Sequence, residues 1–333
     1  MLHRPRLLTL SLALVACAFA ATVSAAENNP AATSPQSGVH ITPLADRLRV
    51  DVNGQLFTEY FFKDVPRPYC YPLIGPGDLA LTRNWPMKSI PNEDHDHPHH
   101  RSLWFTHGSV NGHDFWSEQK DFGKIVHMGF TEIRSGKNLG LIQSTNCWIA
   151  AEGTVVCTDT RCLKVYAPAR SGEQLLDFDV TIFASNGDLT FGDTKEGSMA
   201  VRLAETMRLK GKVGHGHIVN SAGVRDDQTW GKRADWCDYY GPVEGQTVGI
   251  AIFDHPQNPR HPTWWHVRDY GLFAANPFGQ HDFERLSNKA AGSLTVPAGK
   301  SITFRYRFYL HQGDSEAAKV AEHYQQYTRL AQD

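Results

Sequence analysis

Leu48-Arg49-Val50-Asp51-Val52-Asn53-Gly54-Gln55-Leu56-Phe57-Thr58-Glu59-Tyr60-Phe61-Phe62 decides the fold class. Leu48, Val50 and Val52 alternate with charged residues, so an extended backbone here has one apolar and one wet face. Asn53-Gly54 tolerates the positive φ of a two-residue hairpin turn, and Leu56-Phe57 with Tyr60-Phe61-Phe62 supplies the returning strand. Similar β-type runs occur at 124–133, 140–150, 154–166, 175–184, 189–191, 199–209, 247–253, 292–296 and 301–310, with a further turn at Asn186-Gly187. Helical composition is confined to the end. Asp314 and Ser315 offer N-cap oxygens ahead of Glu316-Ala317-Ala318-Lys319-Val320-Ala321-Glu322, which predicts a helix over about 315–330. Many strands without βαβ alternation predict an all-β protein: a single large antiparallel β-sandwich with a C-terminal helix.

Working outward, Arg4 and Arg6 precede an apolar run from Leu7 to Ala21 and the small-residue stretch Val23-Ser24-Ala25. This is the pattern of a leader, so residues 1–25 are expected to be a signal peptide and the protein to be exported, to the periplasm or beyond. Leu14-Val15-Ala16-Cys17 offers a second reading, a lipid anchor on Cys17. Residues 26–38 have no periodicity and read as a flexible linker, which leaves 39–333 as the sandwich domain. No later run reaches the roughly 18 apolar residues of a membrane span.

The 333 residues carry 33 Lys+Arg against 35 Asp+Glu, a balance that excludes a general nucleic-acid binder. Loss of residues 1–25 removes two arginines and no acid, taking the formal charge from −2 to −4. Beyond the leader lie Cys70, Cys147, Cys157, Cys162 and Cys237. Cys157 and Cys162 flank Thr158-Asp159-Thr160-Arg161, which reads either as a hairpin loop closed by a disulfide or as a segment with buried free thiols. No CxxC pair supports a thiolate zinc site.

The chemistry concentrates in Glu93-Asp94-His95-Asp96-His97-Pro98-His99-His100-Arg101-Ser102-Leu103-Trp104-Phe105-Thr106-His107, which holds five of the seventeen histidines. In an extended backbone His95, His97 and His99 face one side and His100 the other, and Pro98 places the segment at a strand edge or in a loop. Three readings follow. His95, His97 and His99 can share one divalent metal, with a neighbouring carboxylate as a further ligand. His99 or His100 can be a general acid or base, a role that needs no cofactor. The third is a solvated polar loop. Further clusters are Gly108 to Trp116 with Asn111, the stretch Phe191-Gly192-Asp193-Thr194-Lys195-Glu196-Gly197, the pair His215 and His217, and the proline-punctuated segment 253–279, read as a rigid loop carrying Trp264, Trp265, His266 and Asn276.

His97-Pro98-His99-His100-Arg101 with Leu103-Trp104-Phe105, the 191–197 stretch, and the block from Asp254-His255-Pro256 to Asn276-Pro277-Phe278-Gly279 together resemble the bacterial family catalogued as "PmoA-like", a domain of unknown function. The methane-oxygenase subunit behind that name is a membrane protein; this sequence has no span, so only the family relationship is carried over. The His-rich strand, later His pair and downstream carboxylates also resemble the galactose-mutarotase-like supersandwich, which implies His and carboxylate acid-base chemistry on a sugar. On that footing the expected function is an exported carbohydrate-active enzyme that cleaves a glycosidic bond by elimination or hydrolysis, or epimerises a sugar. His99, His100 and His217 are the expected acid-base groups, with Glu196 and Asp193 polarising them. Arg67, Arg101, His107, Asn111, Trp265, His266 and Asn276 are expected to hold a sugar or glycan substrate. The alternatives are a metal enzyme, oxidative if the metal is copper, and a non-catalytic glycan-binding module.

Overall fold

In the computed structural model, which describes Met1 and residues 37–168 and 172–329, the Asn53-Gly54 turn is closed with φ of 51° and 82°. It joins β2 (Arg47–Val52) to β3 (Gln55–Phe61), with a register shift between Val50 and Asp51. The leader beyond Met1, Cys17 and the linker up to residue 36 lie outside the described residues. The remaining elements in chain order are β1 (Val39–Pro43), which precedes that hairpin, then β4 (Tyr69–Cys70), β5 (Leu103–His107), β6 (Lys124–Arg134), β7 (Leu139–Ile149), β8 (Val155–Tyr166), β9 (Glu173–Phe183), β10 (Leu189–Phe191), β11 (Gly197–Arg202), β12 (His217–Asn220), β13 (Trp236–Val243), β14 (Gln246–Asp254), β15 (Trp264–Val267), β16 (Leu272–Asn276), α1 (Gln280–Glu284), β17 (Leu294–Val296), β18 (Ser301–Gln312) and α2 (Val320–Arg329).

Two antiparallel eight-stranded sheets result. The first runs β1-β2-β3-β4-β5-β11-β16-β15, the second β12-β13-β14-β18-β9-β8-β7-β6, and β10 pairs with β17 separately. Their inner faces form one core. Phe105 of the first sheet lies 6.4 Å from Trp148 and 5.8 Å from Phe304 of the second, centroid to centroid. Arg161 of β8, in the same interior, is neutralised by Asp159 at 3.1 Å and donates to the carbonyls of Pro68 and Phe105 across the gap. A buried charge needs such partners. Among the described residues no helix is long and apolar enough to cross a membrane.

The two sheets differ on their outer faces. β8 alternates buried and half-buried residues, as expected for one wet face, whereas β5, β11, β15 and β16 are buried at every position. The first sheet is therefore covered on both sides. Its outer cover is an apolar cluster in which Trp104, Ala200, Leu272 and Ala274 pack under Trp116, Met87 and Tyr270 from the loops.

Three sequence readings are corrected here. Segment 253–279 is not a single loop, since it contains β15 and β16. Thr158 to Arg161 is the middle of β8, so Cys157 and Cys162 lie five positions apart on one strand, far beyond disulfide reach, and all five described cysteines are free. The run from Met199 stops as a strand at Arg202, and a short 3-10 turn follows at Glu205–Met207. The C-terminal helix forms, with Asp314 accepting from the backbone N–H of Ala317 at 2.8 Å, but its regular α part starts at Val320.

Phe105→Ala, which empties the contact between the sheets, is expected to cost about 3–5 kcal/mol, read from the urea midpoint at constant m-value.

Candidate functional site

The His-rich segment is not extended. His100 N–H donates to the His97 carbonyl at 3.0 Å, closing a four-residue turn with Pro98 in its favoured second position. The turn abolishes the alternation expected for a strand and gathers His97, His99 and His100 on the outer face of the first sheet. His97 itself has φ of 42°, a backbone state seldom adopted by a residue with a side chain of this size.

Registered pairing lays a floor beneath this turn. Tyr69, Trp104, Ala200, Ala274 and His266 are successive cross-strand partners, so they share the outer face. Arg202 lies on the same face, opposite Leu272. The two alanines leave the floor low between Trp104 and His266. Above it the rings of Tyr270, His97, His100 and Trp104 form a column, with centroid separations of 5.1, 4.8 and 5.4 Å and interplanar angles of 8°, 10° and 22°. His99 meets the column edge-on, 5.7 Å from His97 and 4.4 Å from His100.

Asp96 anchors the column. Its carboxylate ion-pairs with Arg83 and Arg202, both fully buried, and one oxygen lies 2.9 Å from Nδ1 of His97. Burial raises the Asp96 pKa, but the His97 contact and the two guanidiniums outweigh it and hold the carboxyl far below the usual range. Arg202 also contacts His100 Nδ1 at 3.2 Å. His100 is completely buried, and burial together with His99 and Arg202 keeps its imidazole neutral. Burial, then the Arg67 and His97 charges, push His99 down to about 4. His97 and His99 are both half-buried and reach solvent. Tyr270 is half-buried too. Burial raises its phenol, Arg268 and Arg202 oppose this, and Glu196 and Asp96 add to it, which places the Glu196 carboxylate within electrostatic range of the column. The arrangement offers a carboxylate-oriented imidazole, a second neutral imidazole and a protonated phenol side by side.

The residues expected from sequence separate into two groups. His99, His100, Arg67 and Arg101 come together, and Glu196, half-exposed and 3.3 Å from Lys195, is within electrostatic range of Tyr270. Arg67 and Arg101, however, are committed to structure. Arg67 is fully buried, donates to the carbonyls of Phe115 and Trp116, and shares Glu118 with Arg101. Burial lowers the Arg67 pKa to about 10.

The others sit elsewhere. His217 is exposed at the start of β12 in the second sheet, beside Asp226 and Tyr240, and none of its contacts reaches His99 or His100. Asp193 is buried under the backbone N–H groups of His281 and Gly292, which leaves it no imidazole of the cluster to polarise. Trp265 is fully buried in the core with Nε1 on the Ala234 carbonyl, so it presents no face to a sugar. His107 is buried against Phe191 and Phe278 and bonds the Gly192 carbonyl. Asn111 ties its turn to Asp188 and Thr190, and Asn276 spends its amide on Thr194, Lys195 and Phe278. His266 is on the floor with Nδ1 on the Lys195 carbonyl at 2.6 Å, and burial followed by Arg268 pushes it to about 3.

The metal set of His95, His97 and His99 is not assembled. His95 stacks on Trp85 at 4.2 Å and contacts Ser89, while the His97 ring is taken by Tyr270 and His100. Among the described residues no group of three or more His, Cys, Asp or Glu is arranged to hold a metal ion.

Sequence reasoning missed Arg83, Arg202 and Tyr270. For Arg202 a signal existed: it interrupts Val201-Arg202-Leu203, where a guanidinium in an apolar strand needs a buried anion. Tyr270 carries no such mark.

Residues 47–325 match Family of unknown function (DUF6807), and the chain belongs to that family. No curated protein sequence matches it. Solved structures with some likeness include the galactosidase domain of alpha-galactosidase-sucrose kinase, AgaSK, at 8% identity over 83% of this chain, TM-score 0.39. The chain spans 41% of that protein's length. A galactose mutarotase-like protein from Lactobacillus casei ATCC 334 is 10% identical over 82% of this chain and 100% of its own, TM-score 0.29. A putative aldose 1-epimerase from Escherichia coli K12 is 9% identical over 83% and 99%, TM-score 0.30.

Two predictions follow from the geometry. Asp96→Ala strips the shared anion from two buried arginines and is expected to cost about 3–5 kcal/mol in urea denaturation, with loss of the ring column in near-UV circular dichroism. Acid is expected to destabilise the fold as pH falls from 6.5 towards 4, because the unfolded histidines take up protons that buried His107, lowered to about 4, and His266, lowered to about 3, cannot. His107 alone accounts for about 3 kcal/mol of this loss by pH 4, measurable as the pH dependence of the urea midpoint.

Proposed function

We propose that the protein is an exported carbohydrate-active enzyme whose proton transfer is carried out at the outer face of the first sheet by His97 and Tyr270, with His99 beside them. The observation that carries this reading is the solvent-reaching His97 ring, held between Asp96 at Nδ1 and the Tyr270 face. A carboxylate at Nδ1 fixes that nitrogen as the protonated one and leaves Nε2 as the base, and it stabilises the imidazolium once a proton has been taken. The phenol of Tyr270 stays protonated and serves as the acid. His99, neutral above about pH 4, hydrogen-bonds a substrate hydroxyl without adding charge. Glu196 adds a second carboxylate within electrostatic range of Tyr270. The substrate class rests on the half-buried rings of His97, His99 and Tyr270 lying side by side, which suit the apolar face and hydroxyls of a polyhydroxylated ring. The leader read in residues 1–25 fits export. His100 acts as a positioning residue, since its buried ring passes the Arg202 contact into the column.

His97→Ala and Tyr270→Phe are each expected to lower turnover about 10²- to 10⁴-fold while leaving the thermal midpoint within a few degrees of wild type. NMR of neutral and acidic oligosaccharides incubated with each protein reads the effect. Products formed equally fast by His97→Ala would contradict the assignment. Binding without any turnover by wild type, unaffected by His97→Ala, would identify a glycan-binding module instead.

A further inference from the structure

Tyr270 has a second neighbour besides the histidine turn. The Arg268 guanidinium lies over the Tyr270 ring at 5.4 Å and the Trp230 ring at 5.9 Å. It follows β15, two positions after His266, and therefore continues the outer-face row of that strand. Arginines around the histidine turn are paired with carboxylates: Arg67 and Arg101 with Glu118, Arg83 and Arg202 with Asp96, and Arg208 with Asp94 and Glu205. Arg268, among the described residues, has neither an ion pair nor a side-chain hydrogen bond, only the two rings.

The space it faces is formed. Ile218, Asp227, Trp230, Val267, Arg268 and Asp269 enclose a cavity of about 280 Å³. Trp230 and Asp227 also line a neighbouring cavity of about 760 Å³ that continues along the edge strand β15 past Trp264 to Arg285. Lys210 sits between Asp227 and Asp269, so both cavity carboxylates already have a cation near them. Further along, Arg233 is spent on the carbonyls of Pro262 and Arg260 and on the Trp264 ring, and Glu284 accepts from Trp264 Nε1. Among the residues lining the smaller cavity two donors are left over: the whole guanidinium of Arg268, and the indole Nε1–H of Trp230, which is buried and unpartnered. A guanidinium held flat between aromatic faces keeps its N–H edge free for a planar anion, which a carboxylate fills with two parallel hydrogen bonds.

We infer that the ligand is an acidic oligosaccharide, with the carboxylate of one uronate residue on Arg268 and an adjoining sugar ring against Trp230 in the groove along β15. This rests on the proton-transfer reading for the position of the reactive sugar, and it deepens that reading. Because Tyr270 touches both Arg268 and His97, a uronate seated on Arg268 lies next to the acid-base pair.

Calorimetric binding to the full chain tests it, with trisaccharides of galacturonate, glucuronate and mannuronate as acidic probes and galactotriose as the neutral one. At least one acidic trisaccharide is expected to bind about 10- to 100-fold more tightly than galactotriose. That preference should shrink as salt rises and vanish in Arg268→Gln, with Arg268→Lys retaining part of it. Since the Arg268 side chain makes no hydrogen bond or ion pair among the described residues and its backbone bonds are kept, both variants should melt as wild type does. Three results overturn the inference: failure of all three acidic probes to bind, equal binding of acidic and neutral probes, or an acid preference that survives Arg268→Gln. Turnover separates this from the preceding reading. Processing of neutral glycans with no acid preference removes only the role of Arg268, whereas Arg268-dependent acid binding with no turnover removes only the enzyme.

Discussion

The Asp96 carboxylate lies between two guanidiniums that have no other anion, and the site depends on that arrangement. Arg83 and Arg202 are fully buried, one in the covering loops and the other on β11. Burying two such charges is possible only because one carboxylate serves both. The same carboxylate lies at His97 Nδ1, and Arg83 also donates to the backbone carbonyls of Asp96 and His97. A charge requirement of the sheet thereby dictates where the histidine turn docks and which ring nitrogen of His97 faces the protein.

The covered outer face of the first sheet follows from the same economy of partners. Alanines at 200 and 274 keep the floor low, and Trp104, Trp116 and Tyr69 raise its rim. Arg67 and Arg101 hold the rim loop by sharing Glu118, so residues that look suited to binding are the ones that fix its walls. Among the described residues of this region, the Nε2 edge of His97, the half-buried His99 ring and the Arg268 guanidinium beyond Tyr270 are left without a hydrogen-bond partner. Rigid surroundings with a few uncommitted groups are the usual construction of a binding site.

How much of this is legible depends on whether a strand carries alternation, a sustained β-type run or a flanking turn signal. The β2-β3 hairpin, β6 to β9, β14 and β18 carry alternation or turn signals, and they were read from sequence close to their true limits. β15 and β16 are buried on both faces, so nothing in Trp264–Val267 or Leu272–Asn276 alternates, and among prolines and polar residues both read as loop. The site lies on these covered strands, which is why its partners were hard to see. The histidine cluster was found by composition, but its geometry was misjudged: a turn through Pro98, not a strand, brings His97, His99 and His100 together and sends His95 to Trp85. Pairing across the sheet, as between Asp96 and Arg202, has no local trace in sequence.

The most direct test of the account is long-range ¹H–¹⁵N correlation of the histidine side chains, assigned by single His→Gln variants and followed from pH 7.5 to 4. The account predicts that His97 is in the Nδ1–H form at neutral pH, with that nitrogen facing Asp96, that His99 stays neutral until the pH approaches about 4, and that burial keeps His100 neutral well below the ordinary histidine range. A His97 resonance in the Nε2–H form, or a His99 that titrates near 6.5 like a free imidazole, would contradict it.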